Sequence, residues 1–338
     1  MHTQIILGES LLLTQALEQL SIAAPLNKPL LIAGERGTGK ELIAERLHYL
    51  SSRWDKPYLK VNCAALSESL LESTLFGHEA GAFTGAIKSS KGLFERANEG
   101  TLFLDELATV SKRVQEKLLR VIEYAEFERL GGQQTIRVDV RIVGATNENL
   151  AQLSASGRFR ADLLDRLAFD VIHLPPLRLR PEDIPLLAEH FAVTMCIELK
   201  REVFMGFSDA ATRALAQHSW PGNVRELKNV VQRSVYRQQD AQRAVEHIIL
   251  DPFVAPWLSA PPLDSQPAPA KKITQNLTSG KSNLKQKVSA FEVKKIRESL
   301  LAHFFHQQKT ADALGISYHQ LRAYLKKYPH LLDREERL

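Results

Sequence analysis

The sequence predicts an α/β fold with a parallel sheet covered by helices, followed by a helical subdomain and a separate all-α tail. In the first half of the chain, short apolar runs such as PLLIA, YLKVN, TLFLD and VRIVGAT alternate with amphipathic helical segments. This alternation is typical of parallel sheets in α/β proteins. After about residue 176 the apolar runs stop, and helical periodicity continues to about residue 253. A segment rich in Pro, Ser and Lys then separates this body from the tail.

A chain of 338 residues has room for several domains. Hydrophobic residues make up 44% and charged residues 25% of it, which is ordinary for globular proteins and argues against a wholly disordered, collagenous or coiled-coil chain. We expect four parts: an α/β subdomain at 1–175, a helical subdomain at 176–253, a flexible linker at 254–289 and a small helical domain at 290–338.

Signals for secretion, membrane insertion and disulfide bonding are absent from the sequence. No apolar run approaches the ~18 residues that a spanning helix needs, and no basic segment precedes an apolar one at the N-terminus. We therefore expect a cytoplasmic protein without membrane insertion. Cys63 and Cys196 stand far apart, so we expect two inert thiols and neither a disulfide framework nor a zinc site.

Charge is distributed unevenly along the chain. The net charge is +5, yet residues 271–338 contain 14 Lys and Arg against 6 Asp and Glu. The remaining part is therefore slightly acidic. The basic tail is suited to a polyanion such as DNA.

The segment GERGTGK lies between an apolar run and an amphipathic helix and fits the GxxxxGK pattern of a phosphate-binding loop. Glycines let backbone N–H groups point at phosphate oxygens, and the lysine brings a positive charge to the outer phosphates. A simple surface turn is the alternative, and the strand and helix on either side argue against it. Glu41 stands where Ser or Thr usually contacts magnesium. The nucleotide-binding residues predicted here are Gly34, Glu35, Arg36, Gly37, Thr38, Gly39, Lys40 and Glu41.

Two adjacent acids, Asp105 and Glu106, follow the apolar run TLFL. Phosphoryl transfer needs charge neutralisation and a positioned water. We therefore expect Asp105 to bind Mg²⁺ and Glu106 to orient the water that attacks ATP. Such a pair alone is more often a helix cap, and the phosphate loop is what favours catalysis. Asn62 and Asn147 also end apolar runs, and each is either a sensor of the terminal phosphate or a turn-forming residue.

Three arginines are further candidates for phosphate contacts. Arg160 and Arg166 are six residues apart in FRADLLDRL, so they face different sides of a helix, and either can reach the nucleotide of a neighbouring subunit. Arg225 opens a helix after Pro-Gly-Asn. From the residues alone, the alternative for each is a solvated surface position.

The segment GAFTGA places an aromatic side chain between flexible glycines. Such a Phe is either packed inside or offered to a partner, and the residues alone favour packing inside. The residues of this segment are Gly81, Ala82, Phe83, Thr84, Gly85 and Ala86.

The tail segment QQKTADALGISYHQLRAYLK has the spacing of a helix-turn-helix, because Ala311 lies four residues before Gly315 with apolar residues around them. A helical hairpin that serves only dimerisation is the alternative. We expect a preceding helix at residues 291–305 to pair two subunits. The side chains expected to contact double-stranded DNA are Tyr318, His319, Gln320, Arg322, Lys326 and Lys327.

Five motifs occur in one order: GERGTGKE, FGHEAGAFTGA, GTLFLDE, RADLLDRL and WPGNVREL. Together they resemble the central domain of sigma-54-dependent bacterial transcription activators, which are AAA+ ATPases. The resemblance covers about residues 5–253 and the tail helices. It implies an AAA+ fold with a helical lid, a homo-oligomer between a dimer and a hexamer, ATP and Mg²⁺ as cofactors, and upstream DNA and sigma-54 RNA polymerase as partners.

The resemblance also implies roles for particular residues. Phe83 and Thr84 would engage sigma-54, and Asn62 would restrain Glu106 until that engagement. Arg129, near GGQQ, would belong to a second, pore-side loop. The residues that would act across subunits are Arg160 and Arg166. Glu41 is normal for the family, whereas Arg36 replaces the Ser or Thr of most members.

Regulation is expected to come from outside this chain. The phosphate loop starts at residue 34 and the preceding residues already fit the ATPase pattern, so we expect no sensor domain ahead of it. The resemblance implies an inhibitory protein that binds the ATPase body. Trp54, an aromatic residue among polar ones, is a candidate contact, and a half-buried structural Trp is the alternative.

Three functions use parts of this sequence. An activator that remodels sigma-54 RNA polymerase with ATP uses every motif. A DNA-binding regulator that changes its assembly state with nucleotide, without remodelling, leaves Glu106 and GAFTGA unexplained. A replication or repair AAA+ machine leaves Phe83 and Thr84 without a use.

Overall fold

The computed structural model describes residues 6–253 and, in the tail, residues 292, 293, 295–300, 303, 306–328 and 331. The chain divides into two compact units near residue 260. The linker expected at 254–289 lies outside the described residues, as do parts of the helix expected at 291–305.

The larger unit contains a five-stranded sheet whose neighbouring strands are all parallel. Its strands are β1 (Leu30–Ala33), β2 (Tyr58–Asn62), β3 (Thr101–Asp105), β6 (Arg141–Thr146) and β7 (Val171–His173). The order across the sheet is β2-β3-β6-β1-β7. The predicted parallel α/β sheet is confirmed, and its central strand β6 is buried along its whole length.

Helices cover both faces of this sheet. They are α1 (Leu11–Ala23), α2 (Lys40–Tyr49), α3 (Glu68–Phe76), α4 (Leu93–Arg96), α5 (Lys112–Tyr124), α6 (Leu150–Ala155) and α7 (Ala161–Leu167). The core on one face contains Leu102 and Leu104 of β3, and the core on the other contains Phe103. Alternate residues of a strand point to opposite faces, so β3 contributes to both cores.

A small hairpin that the sequence analysis did not predict follows α5. Ala125 takes a left-handed conformation with φ of 56° and ends the helix. The antiparallel strands β4 (Glu126–Glu128) and β5 (Thr135–Arg137) come next. Their turn contains the GGQQ segment.

The helical part of the larger unit consists of α8 (Asp183–Glu198), α9 (Asp209–Gln217) and α10 (Asn223–Arg237). Its core surrounds Trp220, which is fully buried and donates its indole N–H to the carbonyl of Leu215 at 2.9 Å. A buried indole usually finds such a partner. The turn at Trp220 therefore fixes where α10 begins.

Among the tail residues that the structure describes, residues 292, 293 and 295–300 are helical, within the span where a helix was expected. Two short helices follow, α11 (Gln307–Ala313) and α12 (Tyr318–Lys327). The turn between them includes Gly315 in the left-handed region, with φ of 66°. Ser317 caps α12 by accepting a hydrogen bond from the N–H of Gln320, whose side chain accepts the N–H of Ser317 in return. The helices pack on an apolar core that includes Leu300, Ala311, Leu321 and Leu325.

Burial and helix length bear on two of the sequence-based expectations. Cys63 and Cys196 are buried free thiols, as expected, and burial raises the pKa of Cys63 to about 12. Neither is a reactive thiolate at neutral pH. In the parts of the chain that the structure describes, no helix is both long enough and apolar enough to cross a membrane.

Candidate functional site

A cavity of about 510 Å³ opens at the carboxyl ends of β1 and β3, where the helices α8 and α10 approach the sheet. Ligands of parallel α/β sheets bind at this edge. The cavity is lined by the predicted phosphate loop, the acids after β3 and apolar groups from the N-terminus and α8. These residues include Ile6, Leu7, Arg36, Gly37, Thr38, Gly39, Lys40, Asp105, Glu106, Leu187, His190, Phe191 and Arg225.

The phosphate loop connects β1 to α2 in a conformation that requires glycine. Gly37 lies in the left-handed region with φ of 79°, and a Cβ there would overlap the carbonyl oxygen of Gly222. The N–H of Val224 donates to the carbonyl of Gly37 at 3.0 Å. The start of α10 therefore packs directly on the loop.

Lys40 begins α2 and reaches back across the loop. Its Nζ donates to the carbonyl oxygens of Gly34 at 2.9 Å and Glu35 at 3.1 Å. The residue is only 8% exposed. Burial lowers the pKa of Lys40, and the nearby carboxylates of Asp105 and Glu106 oppose that shift. The ammonium group is therefore preorganised beside the lining of the cavity.

Glu35 faces away from the cavity, although we predicted it as a nucleotide-binding residue. Its carboxylate accepts two hydrogen bonds from Arg178, at 2.6 and 2.8 Å, and one from the Asn223 amide at 3.1 Å. These bonds lower the pKa of Glu35 to about 2. Asn223 is fully buried and also donates to the carbonyl of Arg36 at 3.0 Å. Glu35 thus connects the phosphate loop to the helical part of the larger unit, which contains α8 to α10 and is called the lid below.

The acids after β3 have different partners. Asn62 and Asp105 are opposite each other in the β2–β3 register, and the Asn62 amide donates to Asp105 at 3.4 Å. Glu106 has a left-handed backbone with φ of 53°, and its carboxylate lies 3.6 Å from Nε of Arg36. We expected Asn62 to restrain Glu106. In this structure Asn62 contacts Asp105 instead, because the two residues are opposite each other in the strand register.

Of the three arginines Arg160, Arg166 and Arg225, only Arg225 lines the cavity. It reaches the cavity from the first turn of α10. Arg160 forms a bidentate pair with Asp162, and Arg166 pairs with Glu123 at 2.9 Å. Arg160 is half-buried and Arg166 is exposed, and neither belongs to the cavity lining of its own chain.

Two predicted polar residues lie at the margin of the site. Asn147 is exposed beyond the end of β6 and is not part of the cavity lining. Glu41 contributes to the lining and forms an ion pair with Lys60 of β2. The structure therefore brings Glu41 to the cavity and leaves Asn147 outside it.

A segment that we did not predict closes the apolar side of the cavity. Residues 6–10, here called the N-terminal strap, contribute Ile6 and Leu7 to the lining. The strap is attached to the lid by Asp183, which is fully buried and accepts hydrogen bonds from Glu9 N–H at 2.6 Å, Ser10 N–H at 3.0 Å and Ser10 Oγ at 2.9 Å. In the sequence, an acid in the first turn of a helix signals only a helix cap.

Arg180 is a second residue that the sequence analysis missed. It is buried beside the cavity and donates to the carbonyl of Thr38 at 3.4 Å, with Asp183 at 3.8 Å. Its Nε finds no hydrogen-bond partner among the described residues. Arg180 and Asp183 therefore join the phosphate loop, the lid and the N-terminal strap.

The GAFTGA segment forms a tight loop on the surface of the α/β subdomain. The N–H of Gly81 donates to the carbonyl of Ala86 at 2.8 Å, which closes the loop at its base. Phe83 is 48% exposed, and its ring lies edge-on to His78 with centroids 5.0 Å apart. The residues alone had favoured a Phe83 packed inside the protein. The structure instead leaves the side chain half-exposed.

The hairpin after α5 contacts this loop. A Cβ on Gly131 would lie 2.9 Å from that of Ala82. Arg129 of the hairpin pairs with Glu79 at 2.9 Å and Glu95 at 2.6 Å. The second loop that includes Arg129 thus lies beside the GAFTGA loop and is fixed to its base.

The residues predicted to contact DNA lie on or near α12. Tyr318 is half-buried and its hydroxyl hydrogen bonds to Gln307 at 3.3 Å, while Gln320 is used in the cap of α12. These two side chains are less free than we expected. Five of the six residues are exposed: His319, Gln320, Arg322, Lys326 and Lys327.

Trp54 follows α2 in a turn before β2. Its backbone N–H donates to the carbonyl of Ser51, and the residue is 64% exposed. The half-buried structural Trp of the alternative interpretation is not seen.

Comparisons with known proteins agree with this geometry. The sigma-54 interaction domain matches residues 6–173, and the AAA+ ATPase lid domain matches residues 178–251. The chain is 55% identical to the Psp operon transcriptional activator of Escherichia coli K12, over 96% of this chain and 97% of that protein. It is 46% identical to the regulatory protein AtoC of the same organism, over 88% of this chain and 62% of that protein. In the Nif-specific regulatory protein of Herbaspirillum seropedicae the match covers 42% of the relative.

Solved structures give the same result. The crystal structure of NtrX from Brucella abortus in complex with ATP has a TM-score of 0.68 and 31% sequence identity, and the match covers 96% of this chain and 69% of that one. The complex with ADP has a TM-score of 0.67. The α/β sheet with its helical lid is thus the AAA+ architecture that the motifs predicted. The chain belongs to the sigma-54-dependent transcription activators, and its larger unit is their AAA+ ATPase.

Proposed function

We propose that this protein hydrolyses ATP in the cavity and uses the GAFTGA loop to remodel sigma-54 RNA polymerase until the promoter opens. One observation carries the proposal: the half-exposed Phe83 lies in a glycine-flanked loop on the same rigid sheet scaffold as the cavity. An exposed aromatic side chain is a typical anchor for a protein partner.

The residues around the cavity suit phosphoryl transfer. Lys40 and the loop backbone would bind the phosphates. Asp105 supplies a carboxylate, the kind of ligand that Mg²⁺ takes once or twice while it keeps waters and phosphate oxygens, and the bound ion would neutralise phosphate charge. Glu106 would orient the attacking water, and Arg225 would contact the phosphates from the lid. The Asn62 amide beside Asp105 would keep that carboxylate in position.

The ATPase is proposed to work as a homo-oligomer, up to a hexamer. Arg160, which is half-buried, and Arg166, which is exposed, both lie outside the cavity of their own chain. An arginine supplied in trans stabilises charge in the transition state. Asp162 and Glu123 would keep these two guanidinium groups oriented until a neighbouring subunit arrives.

The tail is proposed to be a helix-turn-helix that binds double-stranded DNA upstream of the promoter. Two short helices joined through Gly315 fit the spacing of this motif. His319 and Arg322 would contact base edges, and Lys326 and Lys327 would contact phosphates. Tyr318 and Gln320 would support the recognition helix through their contacts within the tail.

The target is proposed to be a phage shock protein operon, with control in the cytoplasm by an inhibitory phage shock protein. The support is the 55% identity to the Psp operon transcriptional activator over 97% of that relative. Trp54 is the proposed inhibitor contact, because an indole that is 64% exposed among polar residues suits a protein partner.

Promoter opening by purified components tests the proposal. We expect open complexes on a phage shock promoter with sigma-54 RNA polymerase and ATP, and none with sigma-70 polymerase. Opening with a non-hydrolysable ATP analogue would favour a regulator that only changes its assembly state. ATP hydrolysis without opening at any sigma-54 promoter would contradict the remodelling function.

A further inference from the structure

The phosphate loop contacts the proposed water-orienting acid directly. Nε of Arg36 lies 3.6 Å from Oε1 of Glu106. The two side chains differ in freedom, because that of Arg36 is 70% exposed and that of Glu106 only 13%. Glu106 also has a left-handed backbone. Arg36 is therefore the partner with room to move away.

Neighbouring polar groups have other partners. The Lys40 ammonium donates to the carbonyls of Gly34 and Glu35, and the Asn62 amide donates to Asp105. The ion-pair partner that the structure gives Glu106 is thus Arg36. Arg36 belongs to the loop that would surround the phosphates, so the same guanidinium lies within reach of both the acid and the nucleotide.

We propose that Arg36 is a positioning residue that keeps the Glu106 carboxylate from orienting water until a triphosphate binds. Arg36 then exchanges Glu106 for the terminal phosphate of ATP, and the freed carboxylate accepts a hydrogen bond from the attacking water. A guanidinium binds phosphate oxygens in a bidentate manner, and an ion pair with one largely exposed partner, separated by 3.6 Å, is weak enough to be exchanged. With ADP, which lacks the terminal phosphate, Arg36 stays on Glu106. This inference rests on the proposed role of Glu106.

A double-mutant cycle on nucleotide affinity tests the exchange. The four proteins are the wild type, Arg36→Ala, Glu106→Gln and the double variant, titrated with a non-hydrolysable ATP analogue and with ADP. Glu106→Gln removes charge repulsion toward phosphate in both backgrounds, but it removes the competing ion pair only where Arg36 is present. We therefore expect Glu106→Gln to improve affinity for the analogue about 2- to 5-fold more in the wild type than in Arg36→Ala, as suits a partly exposed pair. For ADP the two improvements should be equal.

Two further variants complete the experiment. Arg36→Lys retains a charge but loses the planar fork, and we expect it to restore part of the excess. Arg46→Ala, which changes an exposed arginine of α2, is the matched control and should leave the full excess. Equal improvements in the wild-type and Arg36→Ala backgrounds, or the same excess for ADP as for the analogue, would overturn the exchange. Normal ATP turnover by Glu106→Gln would instead refute the proposed role of Glu106, and phosphate release measures that separately.

Discussion

Lys40 and Glu106 line the same cavity and are proposed to serve different steps. We expect Lys40→Ala to abolish nucleotide binding, because its buried ammonium lines the cavity and is proposed to bind the phosphates. Glu106→Gln should retain binding and lose hydrolysis by about 10²- to 10⁴-fold, the usual contribution of a positioned acid or base. Titration with a fluorescent ATP analogue and phosphate release measure the two effects. An equal loss of affinity in both variants would remove the role assigned to Glu106.

At the residue scale, the sequence predicted well which groups line the cavity. It predicted less well which partners those groups contact. Gly37, Lys40 and Asp105 follow local motifs, and their positions depend on a strand, a turn and a helix that adjoin in sequence. The partner of Glu35 was not predictable, because Asn223 lies 188 residues away. Contacts of this kind depend on how the lid packs on the loop, which periodicity does not encode.

The N-terminal strap is the element whose attachment to the lid bears most on nucleotide affinity. Asp183→Ala would leave buried N–H groups of the strap without an acceptor, so we expect a loss of about 2–3 kcal/mol in the free energy of unfolding. ATP should also bind more weakly, since Ile6 and Leu7 line the cavity. Urea unfolding and ATP titration measure these effects. Asp209→Ala in α9 is the control, because Asp209 is exposed in the first turn of its helix. If the two variants bound ATP equally well, the strap would have no part in the site.

The proposed recognition helix α12 is expected to separate base readout from phosphate binding. Arg322→Ala should relax base preference by about 1–3 kcal/mol, and Lys326→Ala should weaken binding to all sequences alike and reduce the salt slope by about one. Binding to specific and random duplexes across a salt series measures both. A Lys326→Ala variant that lost affinity only for the specific duplex would contradict this division.

Secondary-structure elements could be predicted where the apolar pattern extended over several residues. Prediction failed where the element was short. Four of the five sheet strands, β1, β2, β3 and β6, coincide with the apolar runs in the sequence, and α8 lies in the segment where helices were expected. The fifth strand, β7, has three residues and was not predicted. The hairpin of β4 and β5 has three residues in each strand, too few for alternation to show. The strap carries no periodic signal either, and its position depends on Asp183, 173 residues from Ser10.

At the scale of the whole molecule, the ATPase should need more than one subunit. Arg160 and Arg166 lie outside the cavity of their own chain, so specific activity should fall on dilution. Each variant alone, Lys40→Ala or the one lacking the trans arginine, should hydrolyse ATP about a thousandfold more slowly than the wild type. A mixture of the two should recover activity, because Lys40→Ala subunits still supply the arginine to neighbours whose own Lys40 is intact. The arginine whose variant is rescued is the one that acts in trans. Constant specific activity down to a monomer, established by light scattering, would refute the shared site.

Transmission of ATP hydrolysis to the polymerase is proposed to run through the GAFTGA loop. Arg129 pairs with Glu79 at the base of the loop and with Glu95 of α4. The hairpin and the loop are thereby connected to the same subdomain that supplies Asp105 and Glu106. In this arrangement, the group that would touch the partner is separate from the groups that would act on ATP.

The most direct test of the account is to measure ATP hydrolysis and promoter opening together in Phe83→Ala. Ile87→Ala is the matched control, because Ile87 is an apolar residue, 86% exposed, just outside the loop. We expect Phe83→Ala to hydrolyse ATP at close to the wild-type rate and to form no open complex with sigma-54 RNA polymerase, while Ile87→Ala retains both activities. Promoter opening by Phe83→Ala at the wild-type level would contradict the proposal that the loop delivers the work of hydrolysis to sigma-54.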